Sequence, residues 1–335
     1  MLARPNLASK EWIQRQYDHE VQGGSVIKPL VGVRRDVPSD ASVVRPVLES
    51  MRGLAITQAI NPTYSRLDAH AMTAVTIDEA VRRLVAVGGD PEHIGGIDNF
   101  CWPEIRHHPN RNPDGKLKAA QLVRSCLALK SSCLAMGIPL LSGKDSMYID
   151  GDLEGPFGER HRVSGLPSLQ FTAVSVVPDV RCCVTLEPKS AEHRLYILGI
   201  TRDELGGSEY YDMYGEVGLH VPRIDPGEVF PMYRALAGAI EHGLVASAHG
   251  IYRGGLGVHL ALLVMAAGLG VEVDLARVPC GEESVLRDDR VLYSESAGRL
   301  LGTVPPEKTG AFEAALADHP FAMLGAVTLE PRLRV

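Results

Sequence analysis

Aromatic residues, basic runs and metal-spaced cysteines are all scarce in this chain, and each scarcity excludes something. Phe, Trp and Tyr make up 5% of the 335 residues, too few for platforms on which nucleic-acid bases stack. No run of lysines and arginines offsets the formal net charge of −7, so nucleic acid is not expected as a partner. The six cysteines, Cys101, Cys126, Cys133, Cys182, Cys183 and Cys280, form no C-x-x-C pair and no Cys/His set with zinc spacing. Free thiols in a reducing compartment are the simple expectation. A long unbroken apolar run is also missing. The longest, residues 254–273, is interrupted by His259 and several glycines and reads as a buried helix feeding a strand. Residues 1–10 carry charge without the apolar core of a secretory signal. A cytoplasmic protein with no membrane partner is expected. Its length and its 45% hydrophobic content suit two domains with substantial cores.

What is present centres on residues 140–151, Leu-Leu-Ser-Gly-Lys-Asp-Ser-Met-Tyr-Ile-Asp-Gly. A helical pattern over 116–136 leads into it, Gly137 caps that helix, and Pro139 stops its continuation. Residues 138–141 read as a short buried strand, 142–146 as a polar turn and 147–149 as a second extended run. The turn sets Gly143 beside the Lys144 ammonium, the Asp145 carboxylate and the hydroxyls of Ser142 and Ser146. Such a mixture suits a phosphorylated ligand, because glycine lets the backbone approach and lysine supplies a point charge. It also suits an ordinary charged turn. A P-loop is excluded: its spacing and its strand–loop–helix order are both absent.

Along the chain, residues 9–22 are a helical candidate with Ser9 as its cap, and His19 fits a surface or capping role as well as a catalytic one. Strands are expected over 25–33, 41–47, 54–60, 94–100 and 168–177, with a long helix over 68–87. Asp40, at a turn before a strand, suits either an Asx turn or a hard-cation ligand. Glu79 falls on the buried stripe of the long helix, where a carboxylate needs a partner, and Arg83 stands four residues on. The Gly/Pro-rich stretch 151–167 reads as a mobile loop. A boundary near 180 separates residues 1–180 from 181–335, and alternating strands and helices make the second part α/β or α+β. Residues 292–295 and 299–304 are expected as strands and 307–317 as the last helix.

These segments together resemble the formylglycinamidine ribonucleotide synthase family, the ATP-dependent ligases of purine biosynthesis. The likeness is to the second half of the family's synthetase region. It rests on Tyr17-Asp18-His19-Glu20-Val21-Gln22, Pro38-Ser39-Asp40-Ala41, and stretches 79–88, 98–104, 142–148, 205–210, 247–256 and 293–299, in family order. The resemblance implies an α+β, aminoimidazole ribonucleotide synthetase-like fold, with a β-rich N-terminal pairing domain before a C-terminal α/β domain. It implies ATP and Mg2+ as cofactors, a first synthetase half as partner, and a glutaminase domain or subunit that delivers ammonia. The principal catalytic histidine and the glycine-rich nucleotide loop belong to the other half, so no catalytic residue is assigned here.

By the same resemblance, Gly143, Lys144 and Asp98 are nucleotide-binding, Ser146 touches substrate, and Asp40 and Glu79 are metal ligands of an auxiliary nucleotide site. Lys144 cannot ligate magnesium, so a direct phosphate contact is expected of it. At the auxiliary site Arg83 replaces an Asn, and His249-Gly250-Ile251-Tyr252-Arg253 replaces a His-Asp-x-Ser-Asp pattern. The auxiliary nucleotide is therefore expected to be absent or weakly held, with Arg83 and Arg253 pairing with Asp40 and Glu79. Two other readings stay open: a catalytically silent scaffold, and a self-contained relative such as a selenophosphate synthetase or thiamine-phosphate kinase. Opening residues that look like mid-chain family sequence suggest a fragment. Unpaired N-terminal strands suggest that the isolated chain is a homodimer.

Overall fold

The computed structural model describes residues 1–19, 21–281 and 286–335. The expected helix at 9–22 shrinks to α1 (Glu11–Gln14), although Ser9 Oγ does accept from the Glu11 N–H at 3.2 Å. Glu20 lies outside the described residues. Then come β1 (Ser25–Ile27), β2 (Leu30–Val31), β3 (Val37–Pro38), β4 (Ser42–Val44) and β5 (Gly53–Ile60). Next are α2 (Ala69–Ala86), β6 (Ile94–Trp102), α3 (Gly115–Ala135), β7 (Leu140–Met147), β8 (Asp150–Glu154), β9 (Arg160–Ser164) and β10 (Ser168–Val177). A six-stranded sheet forms in the order β1-β4-β5-β10-β6-β7.

Alternation along each strand decides which face is covered. In β5, Ala55, Thr57 and Ala59 turn inward, while Ile56, Gln58 and Ile60 turn out. β10 pairs antiparallel with β5 and β6 on its two sides, which places it inside the sheet. The inner face packs against α2, whose N-cap Asp68 accepts from the His70 and Ala71 N–H groups. Nearly all of α2 is buried, because it is covered by the sheet, by α3 and by the second half of the chain.

Three expectations change here. Residues 142–146 are not a turn: they continue β7, which runs parallel to β6 at the sheet's edge. Residues 151–167 are not a loop, since β8 and β9 pair as an antiparallel hairpin. Residues 138–141 are also not uniformly buried: Ile138 is in the core, whereas Leu140 and Leu141 are exposed.

Residues 178–193 connect to the second half. It contains β11 (Arg194–Leu198), α4 (Glu209–Asp212), α5 (Pro226–Glu241), β12 (Ser247–Gly250), α6 (Gly255–Ala267) and β13 (Gly270–Val273). It ends with α7 (Asp288–Tyr293), β14 (Leu300–Val304), α8 (Thr309–Ala315), β15 (Phe321–Thr328) and β16 (Leu333–Arg334). Its sheet order is β12-β14-β11-β15-β13-β16. Residues 292–293 close helix α7, which corrects the expected strand there. Among the described residues, no helix is long and apolar enough to cross a membrane.

Helix α2 joins the halves. Arg82 binds Asp78 Oδ2 through Nε at 2.7 Å, and its Nη1 donates to the Ile251 and Arg299 carbonyls at 2.6 and 3.1 Å. The Tyr233 hydroxyl on α5 donates to Asp78 Oδ1.

Candidate functional site

The residues expected around Gly143 lie on two faces of one edge. In the parallel register Asp98 is opposite Gly143, Asn99 opposite Lys144, Phe100 opposite Asp145 and Cys101 opposite Ser146. Paired residues share a face and neighbours alternate. Asp98, Gly143 and Asp145 therefore lie on the α3 side, while Lys144 and Ser146 lie on the outer face. Lys144 Nζ donates to Ser146 Oγ at 2.8 Å, so these two act as a unit. On the inner side, a Cβ at position 143 would come within 2.9 Å of Asp98 Oδ2. That close approach explains the glycine. Partial burial, then the neighbouring Asp145 charge, push the Asp98 carboxyl above the usual carboxylate range. The Cys126 thiol on α3 is also raised, by burial and then by Asp145 and Asp98. The structure thus joins Lys144 to Ser146 and Asp98 to Gly143, and separates one pair from the other.

Asp40 and Glu79 belong to a second constellation, buried between the halves. Asp40 sits in the bend before β4, Glu79 and Arg83 on α2, His249 and Gly250 at the end of β12, and His259 on α6. Asp40 Oδ2 meets His249 Nδ1 at 2.8 Å. Its Oδ1 accepts from the Tyr252 hydroxyl at 2.6 Å and the Gly250 N–H at 3.0 Å. Burial opposes the Asp40 charge, but His249 and the donors from Tyr252 and Gly250 outweigh it and hold the carboxyl below its usual range. Glu79 Oε1 accepts from Arg83 Nε at 3.0 Å and Nη2 at 2.8 Å, and its Oε2 accepts from Asn61 Nδ2 at 2.9 Å.

Two histidines complete the network. The Tyr252 N–H donates to His259 Nε2 at 2.9 Å, and His259 Nδ1 lies 2.8 Å from His249 Nε2. Burial, then the His249 charge, depress His259 well below the usual imidazole value, so it is neutral. His259 Nε2 also lies 3.2 Å from the Arg253 carbonyl. His249 Nδ1 is aimed at Asp40.

The expected partner assignment changes in one respect. Arg83 pairs with Glu79, but Arg253 reaches neither Asp40 nor Glu79. Its Nε and Nη1 donate to Glu209 Oε1 at 3.1 Å and Thr63 Oγ1 at 2.5 Å. Arg4 and Asn6 bind the same Glu209 at 2.7 and 2.8 Å, so the first residues of the chain lie over this end of the interface. Asp40 is served by Tyr252 instead. His259 and Asn61 were not singled out from the sequence. A histidine inside an otherwise apolar helix was the available signal for His259; Asn61, a lone amide before a proline, offers no such signal.

A magnesium ion does not fit either constellation. At the edge strand, Lys144 repels a cation from the outer face, and Asp98 and Asp145 lie on the other side. In the buried core, every carboxylate oxygen of Asp40 and Glu79 already accepts a hydrogen bond. Among the described residues, no group of three or more His, Cys, Asp or Glu is arranged to hold a metal.

Comparison with known proteins gives a consistent pattern. Residues 190–335 match the family described as AIR synthase related protein, C-terminal domain. The chain is 33% identical over 330 residues to the phosphoribosylformylglycinamidine synthase subunit PurL of Alkaliphilus metalliredigens, covering 98% of this chain and 40% of that protein. It is 33% identical over 313 residues to the subunit of the same name from Methanocaldococcus jannaschii, covering 92% and 39%. The chain thus spans about 40% of the length of these curated relatives. Among solved structures, T. maritima PurL complexed with FGAR superposes with a TM-score of 0.67 at 18% identity, covering 96% of this chain and 46% of that one. A chain of the HypE-HypF complex superposes at 0.62 with 13% identity, covering 88% of both. These likenesses establish the aminoimidazole ribonucleotide synthetase-like α+β fold.

Proposed function

We propose that this chain, homologous over nearly its whole length to a stretch of the phosphoribosylformylglycinamidine synthase subunit PurL, forms one part of an ATP-dependent carbon–nitrogen ligase of purine biosynthesis. In this reading ATP phosphorylates the formyl oxygen of formylglycinamide ribonucleotide. Ammonia released from glutamine by a glutaminase then displaces phosphate and leaves the amidine. Residues 1–180 act as the pairing domain that carries the nucleotide and substrate edge, and residues 181–335 as the C-terminal domain.

The observation that carries the reading is the Lys144–Ser146 unit on an exposed edge strand. An ammonium held beside a hydroxyl offers a charge to a transferring phosphoryl group and a donor to substrate. Gly143 offers its backbone to the nucleotide from within this edge strand, and the side chain it lacks leaves room for Asp98 on the inner face. Asp98 lies on that other face and does not meet Lys144. No magnesium ligand set is assigned to this chain. The remaining nucleotide and catalytic residues are assigned to the rest of the synthase. That matches a chain which covers 40% of its relatives.

A second reading, a silent scaffold half, is favoured by the buried core, where Asp40 and Glu79 serve internal partners. The test is ATP-dependent conversion of formylglycinamide ribonucleotide with ammonium as nitrogen source. The chain is assayed alone and after addition of the missing synthetase part, with wild type and Ser146→Ala compared. Activity only on addition, lowered at least about tenfold by Ser146→Ala, supports a contributing half. Unchanged kinetics in the variant supports the scaffold, and activity of the chain alone points to a self-contained site.

A further inference from the structure

We propose that the polar core between the two halves is a closed lock, satisfied by the chain's own side chains, that admits no divalent cation and so no metal-bridged phosphate. Tyr252 is its central piece. This inference does not depend on whether the chain contributes to amidine formation.

Every carboxylate oxygen of the core has at least one donor, while Asn61 Oδ1 is a buried acceptor without one. Asp40 Oδ1 has two donors and Oδ2 has one, while Glu79 Oε1 has two and Oε2 has one. A hard cation would need the same oxygen lone pairs. Charge gives the same result. The Arg83 guanidinium is bound to Glu79, and its central carbon sits 4.0 Å from the centre of the Tyr252 ring. A dication beside Glu79 would meet that fixed positive charge in a low-dielectric interior, where repulsion is strong.

Space is the third limit. A Cβ at position 250 would come within 2.1 Å of both Cζ and Oη of Tyr252. The tyrosine ring therefore occupies the volume a side chain at 250 would take, and any such side chain must displace the ring. Recesses of about 260 and 460 Å3 border the core, and Arg83 and Gln58 line both.

The lock also ties the halves together without help. Asp40, Asn61, Glu79 and Arg83 come from the first half; His249, Gly250, Tyr252 and His259 come from the second. Each bond from Asp40 to His249, Gly250 and Tyr252 crosses the interface. Polar groups from both sides find partners only when the interface is closed, so closure is enforced by the cost of leaving them unpaired.

The test uses the full chain, with Mn2+ alone as a spectroscopic probe by electron paramagnetic resonance and with thermal unfolding. Wild type is expected to hold no Mn2+ that disappears on Asp40→Asn, and its Tm is expected not to move with added Mg2+. Gly250→Ala is expected to lower Tm by at least about 3 °C, through overpacking against the ring. In a Tyr252→Ser background the same substitution should shift Tm by less than about 1 °C, because the obstacle is gone. The combined Arg83→Asn, Gly250→Asp and Tyr252→Ser variant should bind Mn2+ at least about tenfold more tightly than wild type. If that variant does not fold, the wild-type titration and the position-250 cycle decide the matter. Stoichiometric Mn2+ on wild type that is lost in Asp40→Asn would overturn the proposal, as would a Gly250→Ala variant as stable as wild type.

Discussion

At the residue scale, Asp98, on β6 beside the edge strand, is the most informative titratable group. Burial first, and Asp145 second, raise its carboxyl above the usual range. The folded state therefore holds this proton more tightly than the unfolded chain, whose aspartates titrate near about 3.9. Stability falls as pH rises from that value through the raised folded one, and the cost persists above it. Asp98→Asn is expected to melt above wild type near neutrality, and the two Tm curves should converge as pH drops below the ordinary aspartate range. Thermal scans across pH check this. A variant that melts below wild type at neutral pH would show that the carboxylate is needed for something other than charge. Lys144 and Ser146 were legible as a pair from sequence because they are close in the chain. Their separation from Asp98 was not. It depends on strand alternation and on a register set by a partner more than forty residues away.

At the scale of elements, α2 is the wall shared by both halves. Arg82 and Asp78 are almost fully buried, and Arg82 also satisfies two carbonyls from the second half. Arg82→Ala leaves the Asp78 carboxylate without its cation and removes a donor from the Ile251 and Arg299 carbonyls, the second of which keeps the Ile251 N–H. Removal of one partner from a buried pair costs about 3–5 kcal/mol. Urea denaturation should show that loss, and Asp78→Asn combined with Arg82→Met should recover part of it; additive losses would contradict the pairing. The helices α2 and α3 could be read from sequence within a residue or two, because a buried stripe writes itself into the spacing of apolar residues. β7 and the β8–β9 hairpin could not. Their residues are largely exposed, so no apolar alternation marks them, and only hydrogen bonds to neighbouring strands make them extended. Residues 292–293 failed for the converse reason: a short apolar run fits helix and strand alike.

At the scale of the whole molecule, the outer face of the first sheet is uncovered. Ile56, Ile60, Ile97 and Leu141 are between 36% and 61% exposed. They stand on the side away from α2 and α3, beside an edge strand with one unpaired side. Contiguous apolar exposure of this kind marks an interaction surface. The isolated chain is expected to self-associate through it, and Ile97→Lys should return it to monomer. Sedimentation velocity over a concentration series distinguishes the two. A wild type that stays monomeric at all concentrations would leave this face to a different partner chain.

The packing of Tyr252 against Gly250 also sets an order for substitution. A side chain introduced at 250 meets the ring at once, within 2.1 Å of its Cζ and Oη. A smaller residue placed first at 252 removes that obstacle, so the same two changes pass through a strained intermediate in one order and not in the other.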